Sequence, residues 1–90
     1  MNSNYTVLVS SHARRGLVQL PPKVAVAIVE FITGTLRINP LQQSKPLTGD
    51  LVGLRSARRG DYRVLIREDE SACTVLVVRV AHRADVYRTS

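Results

Sequence analysis

Residues 58–80, RRGDYRVLIREDESACTVLVVRV, give the clearest indication of how this chain folds. Within and just before this stretch, three segments alternate with a period of two residues: Leu54 to Arg59, Tyr62 to Arg67 and Cys73 to Val80. Gly60-Asp61 separates the first two segments, and Glu68 to Ala72 separates the last two. Short polar separators of this kind are typical of turns between neighbouring strands. The stretch therefore predicts an antiparallel meander of three strands.

The residues before these strands predict a helical hairpin. After a first strand at Tyr5 to Val9, either serine of Ser10-Ser11 can cap a helix that runs to about Leu20. Pro21-Pro22 ends that helix and begins a second one, because proline loses no hydrogen bond in the first turn of a helix.

The second helix is predicted at Lys23 to about Leu36, with apolar residues on more than one side because Val26 and Val29 lie off its main apolar face. The first helix or a bound partner must cover the side that does not meet the sheet. Leu41 to Leu51 has no periodicity and predicts a loop. Helices followed by a run of strands indicate an α+β fold, in which residues 1–90 form a single domain.

The charge balance favours an anionic partner. The chain has a net charge of +6 and a pI near 10.5, and its 13 basic residues include only two lysines, Lys23 and Lys45. Arginine binds phosphate through a planar pair of donors and stays charged at working pH. This indicates phosphate contact, although a solvated basic face or an acidic protein partner would also account for the charge.

Several classes of protein are excluded by the sequence. Cys73 is the single cysteine, so neither an internal disulfide nor a cysteine zinc site is expected. The start of the chain lacks the order of a signal peptide, and the apolar run Val24 to Leu36 contains Glu30 and is too short for a membrane span. We expect a cytoplasmic protein without metal or cofactor, because neither a paired carboxylate site nor a phosphate-binding glycine loop is present.

Strand alternation sorts the seven arginines that fall between residues 55 and 83, which are Arg55, Arg58, Arg59, Arg63, Arg67, Arg79 and Arg83. In the middle strand Tyr62, Val64 and Ile66 share one face and Arg63 the other. In the last strand Leu76, Val78 and Val80 are expected to oppose Val77, Arg79, Ala81 and Arg83. The pattern predicts a sheet with one apolar and one cationic face.

Such a cluster fits the cleavage of RNA. Arginines can hold a phosphodiester and stabilise the negative charge that builds on it, and RNA supplies its own nucleophile in the 2′-OH. Proton transfer is then the remaining task, for which Tyr87, His82 and His12 are the candidates. Histidine is the side chain that most often transfers protons near neutral pH, which favours His82 for that task, whereas His12 is expected at the surface.

Four segments carry a family resemblance over nearly the whole chain: Ala13-Arg14-Arg15 through Leu20-Pro21, Lys45-Pro46-Leu47 with Leu51 and Gly53, Arg58 to Val64, and Val80 to Tyr87. At these residues the sequence resembles the RelE family of messenger-RNA-cleaving toxins, within the RelE/ParE superfamily of toxin–antitoxin systems. The resemblance implies two helices on a curved antiparallel sheet. It also implies metal-independent cleavage of mRNA in the ribosomal A site through a 2′,3′-cyclic phosphate.

The resemblance implies roles by position. Arg63 would stabilise the phosphate, Arg83 would bind it and assist the leaving group, and Tyr87 would activate or orient the 2′-OH. The chain departs from the family pattern before Gly60, where two expected lysines are absent and Leu54 and Ser56 lie near their places. We assign catalysis to Arg63, Arg83, Tyr87 and His82, and substrate binding to Arg55, Arg58, Arg59, Lys45 and Arg79.

The expected partners are mRNA, the ribosome and a small inhibitory antitoxin, with no membrane contact. The antitoxin would cover the basic face or the exposed side of the helical hairpin. Two alternatives stay open. A ParE-like domain would poison DNA gyrase without cutting RNA, and a non-catalytic module would only bind nucleic acid.

Overall fold

A computed structural model describes residues 4–87 of the chain, in which two helices pack on one face of a five-stranded sheet. The main elements are β1 Thr6–Val9, α1 Ser11–Val18, α2 Pro22–Phe31, β2 Ser44–Pro46, β3 Arg55–Arg59, β4 Tyr62–Asp69 and β5 Thr74–His82. The strand order across the sheet is β1-β5-β4-β3-β2. The predicted α+β class and the predicted meander, now β3 to β5, are confirmed.

Helix α1 lies against β5 because its sequence allows a very close approach. Ser10 caps the helix, with its Oγ accepting a hydrogen bond from the Ala13 N–H at 3.0 Å. One turn later, a Cβ placed on Gly16 would lie 2.6 Å from the Val80 carbonyl oxygen. Only glycine therefore lets the helix backbone reach the strand at this point.

Helix α2 begins at the second proline, as predicted, and buries Ile28 against the sheet. Its continuation, Ile32–Leu36, is wound as a π-helical turn, in which Ile32 and Leu36 are also buried. The opposite side of the helix stays open, with Val26 58% and Val29 44% exposed. Within the described residues, no helix is both long enough and apolar enough to cross a membrane.

The sheet is mixed. Strands β3 to β5 pair antiparallel as predicted, and β2 also pairs antiparallel with β3. Strand β1 instead joins the free edge of β5 in parallel, with Thr6 opposite Thr74 and Val9 opposite Val77. The direction of β1 follows from how the two helices carry the chain across the sheet. A local period of two contains no information about that path.

A β-bulge changes the side-chain alternation of β5. Leu65 of β4 pairs with Arg79, but the next residue, Ile66, pairs with Val77, so Val78 is an extra residue in β5. The core therefore receives Val75 and Val77 before the bulge and Val80 after it. The prediction that Leu76 and Val78 share the face of Val80 is wrong, because it assumed an unbroken alternation.

Part of the predicted loop at residues 41–51 is ordered structure. Strand β2 is a three-residue edge strand that pairs with β3, and Gly49–Leu51 forms a turn of 3-10 helix. Proline is tolerated at Pro46 because an edge strand has a side that needs no ladder hydrogen bond. A strand this short leaves no period in the sequence from which it could be predicted.

At the far end of the sheet, Tyr5 anchors the tip of the β4–β5 hairpin. Its phenol donates a hydrogen bond to Glu68 Oε2 at 2.8 Å. This bond to a carboxylate, together with partial desolvation, raises the pKa of Tyr5 from 10.0 to about 12. The acidic tip is thus tied to the N-terminal strand and lies apart from the cationic end of the sheet.

Candidate functional site

The face of the sheet away from the helices, here called the outer face, collects cationic side chains. Strand register places Arg58 of β3 opposite Arg63 of β4, and Arg63 opposite Ala81 of β5. One row further along, Lys45 of β2 lies opposite Ser56. Because side chains at paired positions point to the same face, these residues form one polar surface.

An open cleft of about 460 Å³ lies on this surface and is called the outer cleft. It is lined by Gln42, Gln43, Ser44, Lys45, Pro46, Leu47, Ser56, Arg58, Arg63 and Tyr87. Three cations, a phenol, two serines and two amides therefore meet in one place, contributed by four separate segments of the chain. Such a set of donors matches the oxygens of a phosphodiester.

The Arg63 guanidinium forms only weak hydrogen bonds within the described part of the chain. Its Nη1 donates to the carbonyl oxygens of Gly60 and Tyr62, both at 3.4 Å. Both contacts are long and both use the same nitrogen, whereas a guanidinium has five N–H donors. Arg63 therefore lines the outer cleft with most of its donors available to a ligand.

Arg55, predicted to bind substrate, is instead engaged inside the protein. Its Nε donates to Ser44 Oγ at 2.7 Å, and its Nη2 donates to the carbonyl oxygens of Ser44 at 2.9 Å and Leu41 at 3.2 Å. Ser44 is buried and in turn donates to the Pro40 carbonyl oxygen. Arg55 thus holds the segment that carries Gln42, Gln43 and Lys45 into the outer cleft.

Arg83 lies beyond the lining of the outer cleft, beside the β3–β4 turn. Its N–H donates to the Asp61 carbonyl oxygen at 2.8 Å, and its Nε is 3.9 Å from Asp61 Oδ1. Both side chains are about two-thirds exposed, at 64% and 68%, so this ion pair is weak and easily exchanged for a ligand. Arg63 also contacts this turn, through Gly60, so both arginines belong to the same end of the sheet.

His82 is on the opposite face from Arg63. It pairs with Tyr62, packs edge-to-face on that ring with centroids 5.4 Å apart, and accepts a hydrogen bond at Nδ1 from the Ala84 N–H at 3.1 Å. It lines a separate cleft of about 450 Å³ between α1 and β5, the helix-side cleft, together with His12. The structure does not bring His82 to the outer cleft.

The remaining predicted binding residues are divided between the faces. Arg79 lines the helix-side cleft and donates to the Asp85 carbonyl oxygen at 3.2 Å. Arg59 lies opposite Tyr62 and borders a third cleft of about 390 Å³ next to α2. Among the predicted binding residues, Arg58 borders both this third cleft and the outer cleft.

Sequence reasoning missed six lining residues of the outer cleft, namely Gln42, Gln43, Ser44, Pro46, Leu47 and Ser56. The two glutamines lie in the segment predicted as a plain loop. Loops held by a rigid scaffold often carry binding groups, and that general tendency was the one available signal. Within residues 4–87, no three His, Cys, Asp or Glu side chains come together as a metal-binding group.

Comparison with known proteins identifies the family to which this chain belongs. Residues 7–87 match the family described as the ParE toxin of type II toxin–antitoxin systems, parDE. The chain therefore belongs to this toxin family, within the RelE/ParE superfamily.

Particular relatives narrow the resemblance to RelE-type toxins. The chain is 51% identical over 84 residues to Toxin RelG of Mycobacterium tuberculosis (strain ATCC 25618 / H37Rv), covering 93% of this chain and 97% of that protein. The crystal structure of the toxin–antitoxin complex RelBE2 from the same species matches with a TM-score of 0.87 and 47% identity, over 94% of this chain and 100% of that one. The archaeal RelE–RelB complex from Pyrococcus horikoshii OT3 shares the fold, with a TM-score of 0.72 at 24% identity over 93% of this chain and 100% of that one.

Proposed function

We propose that this toxin is a metal-independent endoribonuclease that cleaves mRNA in the ribosomal A site and so inhibits translation in the cytoplasm. The observation that carries the proposal is the outer cleft, where Arg63 and Tyr87 meet together with Lys45 and Arg58. These residues come from different elements, and two of them hold the positions that the RelE resemblance implies for phosphate stabilisation and for the 2′-OH.

In the proposed reaction the 2′-oxygen attacks the adjacent phosphorus, and the bond from phosphorus to the 5′-oxygen breaks. Arg63 and Arg58 stabilise the additional negative charge on the phosphoryl oxygens, which is where preorganised cations lower a barrier most. Tyr87 accepts a hydrogen bond from the 2′-OH and orients it, and the 2′ proton leaves to solvent in the open cleft. The products are a 2′,3′-cyclic phosphate and a free 5′-hydroxyl.

Lys45 is the group proposed to protonate the leaving 5′-oxygen. The family pattern predicts a lysine near Ser56, and Lys45 lies directly opposite Ser56 on the neighbouring strand. Its ammonium therefore reaches the same part of the cleft from β2 instead of β3. An ammonium is a proton donor, whereas an arginine at neutral pH does not release its proton.

The test is to map RNA 5′ ends after a short induction, with and without a block of translation. We expect Arg63→Ala to lower cleavage by about 10²- to 10³-fold, the usual cost of one preorganised donor, and Tyr87→Phe to lower it as well. Arg67→Ala is the matched control, because Arg67 shares the face of Arg63 on β4 but borders a different cleft near Gly53. Unchanged cleavage in Arg63→Ala, with thermal unfolding like wild type, contradicts the proposal.

An inhibitory antitoxin is the proposed partner. The RelBE2 and archaeal RelE–RelB structures are both toxin–antitoxin complexes. This chain leaves apolar side chains open on its helices, with Val18 80% and Val26 58% exposed. An amphipathic segment of the antitoxin would bury these residues.

Inhibition of DNA gyrase is the second candidate, because the family that matches residues 7–87 is described as ParE. The same induction separates the two functions. Loss of supercoiling activity in a gyrase assay with purified toxin, without new RNA ends, would establish the second candidate in place of the first.

A further inference from the structure

The outer cleft does not end at the margin of the sheet. It shares Gln43 and Arg58 with the third cleft, which lies on the helix side and is also lined by Ala27, Glu30, Phe31, Thr35 and Arg59. The two clefts therefore form one path around the edge of the sheet. The third cleft, which lies beside α2, is from here on called the margin groove.

Strand pairing explains why the edge is open at this point. β2 and β3 pair from Pro46 opposite Arg55 to Ser44 opposite Ala57. Gln43 and Arg58 are the next residues on each segment, so they lie just past the end of the ladder. A chain leaving the outer cleft can turn around the sheet there without crossing a paired strand.

Two adjacent arginines stand on either side of this edge. Arg58 lies opposite Arg63 and faces the outer cleft, whereas Arg59 lies opposite Tyr62 and faces the margin groove. Both are exposed, and none of the hydrogen bonds or ion pairs formed within residues 4–87 uses either guanidinium. Placing like charges side by side costs energy that consecutive phosphates would offset.

The margin groove also contains a carboxylate, that of Glu30, which would repel a phosphate. Glu30, in the last turn of α2, is exposed, and no ion pair joins it to Arg58 or Arg59 in the described part of the chain. An ionised carboxylate only accepts hydrogen bonds. It therefore suits a base edge with two neighbouring N–H donors, and among the four RNA bases guanine has this pattern at N1 and the 2-amino group.

We propose that the margin groove binds the nucleotide next to the scissile phosphate, with its non-scissile phosphate on Arg59 and a guanine base on Glu30. Arg58, which borders both clefts, bridges this phosphate and the scissile one. This inference rests on the proposed RNA cleavage. It assigns sequence preference at one position to Glu30, while the arginines contribute affinity without preference.

The experiment uses the purified full chain and 2′-O-methyl RNA tetranucleotides, which bind but lack the nucleophile. Guanine is placed at each position in turn and compared with inosine, which lacks the 2-amino group. We expect wild type to bind guanine about tenfold tighter than inosine at one position, a loss typical of a broken bidentate base contact. Glu30→Gln should abolish this difference, and the control Glu70→Gln, in the β4–β5 turn, should keep it.

Arg59→Ala should weaken binding of every oligonucleotide alike and reduce the slope of log affinity against log salt by about 0.7, the value for one phosphate of a single strand. Equal binding of guanine and inosine at all positions, a preference that survives Glu30→Gln, or an unchanged salt slope in Arg59→Ala would each overturn the assignment. Because binding is measured without cleavage, a guanine preference in a chain that cuts no RNA would refute the nuclease and leave the groove assignment standing.

Discussion

The outer cleft and the helix-side cleft have nearly equal volumes, about 460 and 450 Å³, and both contain cationic or titratable side chains. They differ in how strongly those side chains are engaged by the protein itself. In the outer cleft Arg63 makes two long contacts through one nitrogen, whereas in the helix-side cleft His82 packs on Tyr62 and accepts a backbone hydrogen bond. Two residues that are neighbours in sequence, Tyr62 and Arg63, thus serve different faces. Polar side chains on one strand should therefore be assigned to a site by face and not by proximity along the chain.

Variants in the two clefts should differ most in their rates of RNA cleavage. We expect His82→Ala to change RNA cleavage by less than about threefold, which is under about 1 kcal/mol in activation free energy, against about 10²- to 10³-fold for Arg63→Ala. The same His82→Ala variant should lose about 1 kcal/mol of unfolding free energy, because it removes an edge-to-face ring contact. Cleavage and urea unfolding of both variants measure the contrast. Equal losses of cleavage would return His82 to the catalytic group in which the sequence placed it.

Gly16→Ala should disturb the helix-side cleft alone. The new Cβ would lie 2.6 Å from the Val80 carbonyl oxygen, so α1 must move away from β5. We expect a loss of about 2 kcal/mol of unfolding free energy, as for overpacking of a tight interior contact. Gly34→Ala, where the added Cβ meets nothing within 4 Å, is the matched control. A Gly16→Ala protein as stable as wild type would show that the helix contact is looser than described.

Arg55→Ala tests whether the outer cleft depends on a positioning residue. The variant loses three hydrogen bonds to Ser44 and Leu41, and we expect a cost of about 1 kcal/mol in unfolding free energy. Cleavage should fall several-fold although Arg55 does not line the cleft, because Lys45 and Gln43 lose their support. Arg55→Lys should restore little of either, since one ammonium cannot reproduce the planar set of donors. Full rescue by lysine would indicate that charge alone matters at this position.

Tyr5→Phe should have the smallest effect on stability, present at neutral pH and disappearing at high pH. The pKa of Tyr5 is raised from 10.0 to about 12, chiefly by its hydrogen bond to Glu68. The native state thus holds this proton more tightly than the unfolded chain, so the stabilisation is complete below pH 10 and is lost as the pH rises through about 12. We expect wild type to lose stability over this interval more steeply than Tyr5→Phe, as measured by urea unfolding in a pH series. Parallel slopes would contradict the raised pKa.

The strong local patterns of the sequence were sufficient for much of the fold. Period-two segments predicted β3 to β5, and the serine cap and the paired prolines predicted the two helices. The face of Arg63 in β4 was also predicted, because that strand is regular along its length. Each of these features depends on residues within one turn or one strand, where steric and hydrogen-bonding preferences act directly.

Local sequence patterns did not predict three features of the sheet, and the reason is the same for each. The bulge at Val78, the parallel pairing of β1 and the edge strand β2 all depend on partners far along the chain. The bulge is the most instructive, because one extra residue reversed the predicted faces of Leu76 and Val78 and left Val80 correctly in the core. Register is a property of a pair of strands and cannot be read from one of them.

Composition, charge and local periodicity were enough to predict an α+β domain and an excess of arginine suited to phosphate. The assignment of Arg63 and Tyr87 to the site came from the resemblance to the RelE family and stays a prediction. Which side chains are available to a ligand depends on the folded molecule. There Arg55 is hydrogen-bonded to Ser44, His82 packs on Tyr62 on the helix face of the sheet, and Lys45 lies opposite Ser56. The physical reason is that charge and propensity belong to single residues, whereas availability depends on which groups the pleat and the strand register bring within hydrogen-bonding distance.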